Sequence, residues 1–379
     1  ACLVGSEMCI RDRISYVQYL REVYPGKSEY QNMLPAGNPA GDNYGDIHIP
    51  GRASISGYRC HGLLGFGGFA TVYDVTERPH GLEALIYRSR PHYACKIADL
   101  SHASINGGNP VTAAENFLRE IELYYAMKRS RVAGVLPLKA HTPIPEIQRA
   151  IREARKNPRH TTNIRLMMLT PVGLSYQTYL ASLVESGKIR RLTVQQACAM
   201  FLDIAEAILQ LHKNGILHRD LKPDNIYLYP DQNALRACLA DFNVSRAVQI
   251  QKGMRGLTQI SYSGTAAYAS PYLKTHNVAD LPREIALRLD TYSLGVICYT
   301  ILNNQKLSVD LNGRLKEPQY SPSRELSKLV LEMMEPDPHR ALSMEEVVRT
   351  LYKILLSAPR SAKPHPAAVP AGYDFRGKR

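Results

Sequence analysis

The run His218-Arg219-Asp220-Leu221-Lys222-Pro223-Asp224-Asn225 places an acid, an ammonium and an amide on one short stretch of chain. Further on, Asp241-Phe242-Asn243 adds a second carboxylate. Asp220 is suited to accept a proton from a hydroxyl, Lys222 to face gathering negative charge, and Asn225 with Asp241 to supply the hard oxygen donors that Mg²⁺ prefers. Together these residue types form a phosphoryl-transfer constellation. A His-Arg-Asp turn that merely caps a helix would not predict a metal-ligating Asp at the end of the following hairpin.

These side chains need rigid supports on both sides. Upstream, Val194, Ala197, Phe201, Ile204, Ala205, Ile208 and Leu211 recur at three- and four-residue steps, which predicts an amphipathic helix ending near Asn214-Gly215. Downstream, the apolar runs 226–229 and 237–240, separated by Pro230-Asp231-Gln232-Asn233, read as a hairpin that delivers Asp241. Near the start, an extended run over 58–64 leads into Gly65-Phe66-Gly67-Gly68-Phe69-Ala70-Thr71-Val72-Tyr73. Strand, glycine turn and strand suit phosphate binding, because backbone amides without a neighbouring Cβ approach phosphate oxygens closely. The next strand, Tyr93-Ala94-Cys95-Lys96-Ile97, sets Lys96 among apolar neighbours, where an ammonium is costly unless paired with anions. A helix predicted over 113–128 offers Glu115, Glu120 and Glu122 as partners.

The catalytic stretch resembles that of the eukaryotic protein kinases, serine/threonine type, and the likeness extends over 58–356 with motifs in the family's order. The resemblance implies an α+β, two-lobed kinase-like fold over 57–356. Its small β-rich N-lobe, with one main helix, is expected over about 57–168, and its larger helical C-lobe over about 172–356. It implies Asp220 as the base and Lys222 as the brace of the transferring phosphoryl group, with Lys96 on the phosphates. Glu120, in Phe117-Leu118-Arg119-Glu120-Ile121, is then the partner of Lys96, and Asn225 and Asp241 are the metal donors. ATP and Mg²⁺ are the implied nucleotide and metal. The implied nucleotide pocket comprises Gly65, Gly67, Gly68, Val72, Ala94 and Lys96, with Met168 as gatekeeper, Leu169 and Pro171 in an edge strand and hinge over 166–173, and Tyr227 under the base.

The polar stretch after Asp241 resembles an activation segment, with Thr258, Ser261, Ser263 and Thr265 as candidate positions. Arg219, Lys252 and Arg255 form a basic pocket for a phosphate on Thr258, Ser261 or Ser263. Asp290 is expected to orient the catalytic loop. The chain departs from the family pattern at Asn243, where glycine is usual, and at Ser270-Pro271-Tyr272, where Ala-Pro-Glu is usual; the latter removes the customary partner of Arg340. The activity expected is ATP-dependent phosphorylation of serine and threonine hydroxyls on proteins, since Lys222 favours a short hydroxyl side chain. The alternative is a pseudokinase scaffold, which Asn243 and Tyr272 favour. A kinase fold acting on a small molecule is opposed by the Gly264-Thr265 pattern.

The 379 residues are 45% hydrophobic, enough for one large or two moderate cores. A formal net charge of +13 suggests attraction to acidic partners without choosing among them. The spacing of basic and aromatic residues provides no dedicated nucleic-acid module. No uninterrupted apolar run approaches the ~20 residues of a membrane span and no secretory pattern opens the chain. The seven Cys are widely spaced, which points to a reducing compartment, and a cytoplasmic location is expected. The charged insert 143–162 is expected to be a solvated helix, with an acidic partner at 146–165 as the other reading. Strands are expected over 134–140 and 164–169 on either side of it. Residues 1–13 look like translated sequencing-adapter sequence, 14–56 a linker or mobile arm with a short possible helix at 14–23, and 357–379 a disordered tail. Residues 303–321 suggest a reduced substrate-docking helix.

Overall fold

The structure is a computed structural model that describes residues 10–35, 46–47, 57–66, 70–78, 91–100, 109–157, 164–231, 234–242, 246–247, 267–274, 276, 281–308 and 315–359. Two helices come first, α1 (Ile10–Val23) and α2 (Lys27–Met33), joined through Pro25-Gly26. The chain then builds β1 (Asp46–Ile47), β2 (Tyr58–Phe66), β3 (Thr71–Glu77) and β4 (His92–Asp99), followed by helix α3 (Pro110–Arg129). Asn109 starts α3: its side chain accepts the N–H groups of Val111 and Thr112, and Pro110 fits the first turn because its missing N–H is not needed there. After α3 come β5 (Ala140–His141), α4 (Ile144–Lys156) and β6 (Arg165–Pro171). The strands form one antiparallel sheet in the order β1-β2-β3-β4-β6-β5.

The C-terminal part is mainly helical. It begins with β7 (Leu174–Ser175) and α5 (Tyr176–Glu185), then α6 (Val194–Lys213), whose first turn is closed by a reciprocal capping box between Thr193 and Gln196. Next come β8 (Ile216–Leu217), β9 (Ile226–Asp231), β10 (Ala234–Leu239) and β11 (Arg246–Ala247), then α7 (Arg283–Leu302), α8 (Arg324–Met333) and α9 (Met344–Ser357). The periodic residues Ala197, Phe201, Ile204, Ala205, Ile208 and Leu211 of α6 are fully buried. They share a core with Leu294, Ile297 and Ile301 of α7 and Val347 and Leu351 of α9. Helix α7 has the length and apolarity of a membrane span, yet 78% of that stretch is buried in the protein, as in a core helix. The arrangement is the two-lobed α+β architecture expected.

Four expectations change. Residues 14–56 are not a linker throughout: Tyr16, Leu20, Tyr24 and Tyr30 belong to the main hydrophobic core. The residues at 16, 20 and 24 share one helical face, and the C-lobe buries it. The hinge strand β6 is not at the edge of the sheet, because β5 pairs with its outer side. The strand expected over 134–140 shrinks to β5 and a bridge of Val135 to Leu239, because Gly134 and Leu136 turn their backbone bonds to Leu239 instead. Gly134 has φ +73°, and a Cβ there would lie 2.5 Å from that of Ala207 on α6, so both conformation and approach require glycine. Finally, α4 is solvated on one side only: Ile147, Ala150, Ile151 and Ala154 are buried and α4 packs along α3. Among the described residues of 303–321 there is no helix.

Candidate active site

The catalytic loop hangs from a buried carboxylate. Asp290, on α7, accepts the backbone N–H groups of His218 (2.8 Å) and Arg219 (2.9 Å) and pairs with the ring Nε2 of His212 at 2.9 Å. Three bonds to one side chain fix the turn, which lets Arg219 hold φ +73°. His218, fully buried, meets the Ala240 carbonyl through Nε2 at 3.1 Å and lies against the Phe242 ring. Beyond it, Asp220 Oδ2 accepts from Lys222 Nζ (3.1 Å) and from Asn225 Nδ2 (2.9 Å), while the same amide nitrogen reaches the Asp220 carbonyl at 2.8 Å. Asn225 closes a 3₁₀ turn over Pro223–Asn225, and with its nitrogen so committed the amide oxygen is the atom left to ligate.

Lys96 joins the lobes. Its ammonium lies 3.0 Å from Glu120 Oε2 and 2.9 Å from Asp241 Oδ1, and Glu120 Oε1 also accepts the Phe242 N–H at 3.2 Å. Register across the sheet sets Val72, Lys96 and Met168 side by side on β3, β4 and β6, with Gly65 opposite Val72. Ala94 pairs with Thr170, and Leu169 is buried with its carbonyl accepting the Lys139 N–H at 2.8 Å. Pro171 ends β6. Tyr227 on β9 lies against Gly173, where a Cβ would approach its own to 3.0 Å. Thus Asp220, Lys222 and Asn225 share one loop, and Lys96, Glu120 and Asp241 form one ion cluster.

The model of the protein kinase domain matches residues 58–353. The chain belongs to the protein kinase family. Similar proteins include the serine/threonine-protein kinase PLK4 of Drosophila virilis, 23% identical over 79% of this chain and 33% of that one. A probable serine/threonine-protein kinase fhkE of Dictyostelium discoideum is 22% identical over 76% of this chain and 36% of its own length. The SNF-related serine/threonine-protein kinase of Homo sapiens is 29% identical over 39% of this chain and 19% of that one. The chain spans about a third or less of the length of these curated relatives.

The charges of the ion cluster are unequal. Burial works against the Lys96 ammonium, but Asp241 and Glu120 outweigh it and raise its pKa. Burial is also the first influence on Asp241, yet Lys96, its hydrogen bond, His218 and Lys222 together hold the carboxyl below its ordinary value. Glu120 is raised by burial and by Asp241, with Lys96 offsetting part. Of the two carboxylates on Lys96, Asp241 is thus held below its ordinary value and Glu120 above. Among the described residues no three His, Cys, Asp or Glu side chains gather as a cation site.

The expected positions Gly67, Gly68, Asn243, Thr258, Ser261, Ser263 and Thr265 lie outside the described residues, as do Lys252 and Arg255. Arg340 solves the loss of its customary partner by exposure: its side chain is 75% accessible and 3.7 Å from Glu335. Tyr272 stacks on His276 at 4.2 Å. The insert's basic residues are partly engaged within the chain, Arg155 with Glu115 and Arg165 with Asp99, and nothing in the comparisons indicates an acidic partner there. Sequence reasoning missed His212 as the partner of Asp290. Its signal was a histidine in the last turn of an otherwise apolar helix face.

Proposed function

We propose that the chain transfers the terminal phosphoryl group of ATP to serine or threonine hydroxyls of protein substrates, with Mg²⁺ held by Asn225 and Asp241. The observation that carries this reading is Lys96 set between Glu120 and Asp241 while the Phe242 N–H closes on Glu120. An ammonium so fixed is aimed before any nucleotide arrives, and preorganised charge is where most catalysis of this kind originates. Asp220 receives the hydroxyl proton, and Lys222, 3.1 Å from Asp220, faces the group in transfer. Asn225 anchors Asp220 by its nitrogen and offers its oxygen to the metal, which when bound neutralises phosphate charge. Gly65, Val72, Ala94, Met168, Pro171 and Tyr227 enclose the base, whereas Leu169 packs on the other face of the sheet with Cys95 and Ala140 and gives its carbonyl to Lys139; burial pushes the Tyr227 phenol up to about 12, so it stays neutral there.

Phosphoamino-acid analysis after incubation with radiolabelled ATP, Mg²⁺ and mixed protein substrates tests the reading. Label on serine and threonine, lost when Mg²⁺ is chelated, is expected. Label on tyrosine alone would overturn the substrate class. Nucleotide binding without transfer would support a scaffold, the reading that Asn243 and Tyr272 favour.

A further inference from the structure

We infer that residues 16–30, which precede the matched kinase domain, form a clasp that positions the hairpin carrying the metal donors, with Arg236 as its central positioning residue. This rests on the kinase reading for the identity of the metal. The hairpin β9–β10 runs from Asn225 to Asp241, and its two ends are tied by the Ala240 N–H to the Asn225 carbonyl at 3.0 Å. Such a hairpin has little stability of its own; among the described residues its further pairings are the two-residue β7 and, at the very end of β10, the bridge of Leu239 to Val135 with its bonds to Gly134 and Leu136. Along its length it is also held by polar bonds from α1, α2 and α6. Arg236 on β10 bonds Asp203 Oδ1 through Nε, and its Nη2 reaches the Tyr16 hydroxyl at 2.5 Å and Glu206 at 3.4 Å. Asp203 Oδ2 accepts the Ala237 N–H at 2.6 Å and the Tyr24 hydroxyl at 3.1 Å. Tyr30 donates to the Leu228 carbonyl on β9 at 3.2 Å.

The same network reaches the rest of the C-lobe. Glu206 accepts from both Tyr16 and Tyr352, and Tyr179 donates to the Val23 carbonyl at 2.8 Å. Asp203 is fully buried, so this cluster is a fixed part of the core and not a surface ion pair. Removing any of its members loosens β9–β10 before it loosens α7. The spacing of Asn225 and Asp241 depends on that hairpin, so Mg²⁺ dependence changes with it.

The test uses the full chain carrying Arg236→Met, the charge-balanced pair Arg236→Met with Asp203→Asn, and the milder Tyr16→Phe and Tyr30→Phe. Amide hydrogen exchange over 226–239 and the Mg²⁺ concentration giving half-maximal binding of a fluorescent ATP analogue are measured. Expected are faster exchange over 226–239 with α7 still protected, and a Mg²⁺ requirement raised about tenfold in Arg236→Met, the size usual for residues that orient metal ligands. The charge-balanced pair recovers part of the loss. If Arg236→Met does not fold, the tyrosine variants decide by the same two measurements. Unchanged exchange over 226–239 in folded variants overturns the clasp, as does faster exchange spread evenly over the whole C-lobe. A wild-type chain that binds no Mg²⁺-nucleotide removes the kinase reading and the metal half of this inference, and exchange alone then decides the clasp.

Discussion

Lys96 is the residue on which the site turns, since one ammonium serves two carboxylates from opposite lobes. Lys96→Met should abolish phosphotransfer while leaving the thermal midpoint within a few degrees; activity retained in that variant, measured with radiolabelled ATP, would contradict the role. Pro171 is the residue where this hinge differs in kind from a hinge with a backbone donor, because proline carries no N–H to offer a nucleobase. Pro171→Ala supplies one, and a single added hydrogen bond of about 0.5–1.5 kcal/mol should lower the KM for ATP roughly two- to tenfold in steady-state kinetics. At Asp290, the bond and charge of His212, together with His218, outweigh burial and hold the carboxyl below its ordinary value. A group whose pKa falls on folding contributes stability that is complete above the unfolded value, about 4, and is lost as pH falls through the folded value. Urea unfolding should therefore show the wild type losing stability more steeply than Asp290→Asn as pH drops below about 4, though Asp290→Asn is the less stable at pH 7.

Helix α3 carries Glu120, and α4 packs along α3 with Ile147, Ala150, Ile151 and Ala154 buried. Ile147 is fully buried there. Ile147→Ala should cost about 2–4 kcal/mol of stability. Because α3 then sits less firmly, kcat should fall while the KM for protein substrate stays within about twofold, a split read from steady-state rates. The elements around the catalytic loop were legible in the sequence because each motif has an obligatory support: an apolar-periodic helix before His218 and a hairpin before Asp241. Helix α4 was legible as a helix, but its many arginines drew attention from the spacing of Ile147, Ala150, Ile151 and Ala154, which marks a buried face. Helix α1 was legible as a short helix over 14–23, but its burial was not, and α2 was hidden by Pro25-Gly26 and by a long Gly- and Asn-rich stretch that follows it. What buries them is a tertiary surface on α6 and β10, and no local pattern reports the far side of such a contact.

Over the whole molecule, the sheet presents Lys96, the helical part presents Asp220, Asn225 and Asp241, and α3 reaches between them with Glu120. Lys96, Glu120 and Asp241 come from three different elements, so their cluster exists only when both parts of the fold are in place. The basic overall charge of +13 adds attraction for phosphate-bearing ligands without selecting a protein substrate. The assembled site is expected to turn over. The direct measurement is the rate of phosphate transfer from Mg²⁺-ATP to a serine-containing protein substrate by the wild-type chain beside Asp220→Asn. Transfer by the wild type, reduced at least about a hundredfold in Asp220→Asn by loss of the proton acceptor, is the predicted result. Equal rates for the two chains, or no transfer by the wild type over a full range of substrates and Mg²⁺ concentrations, would contradict it.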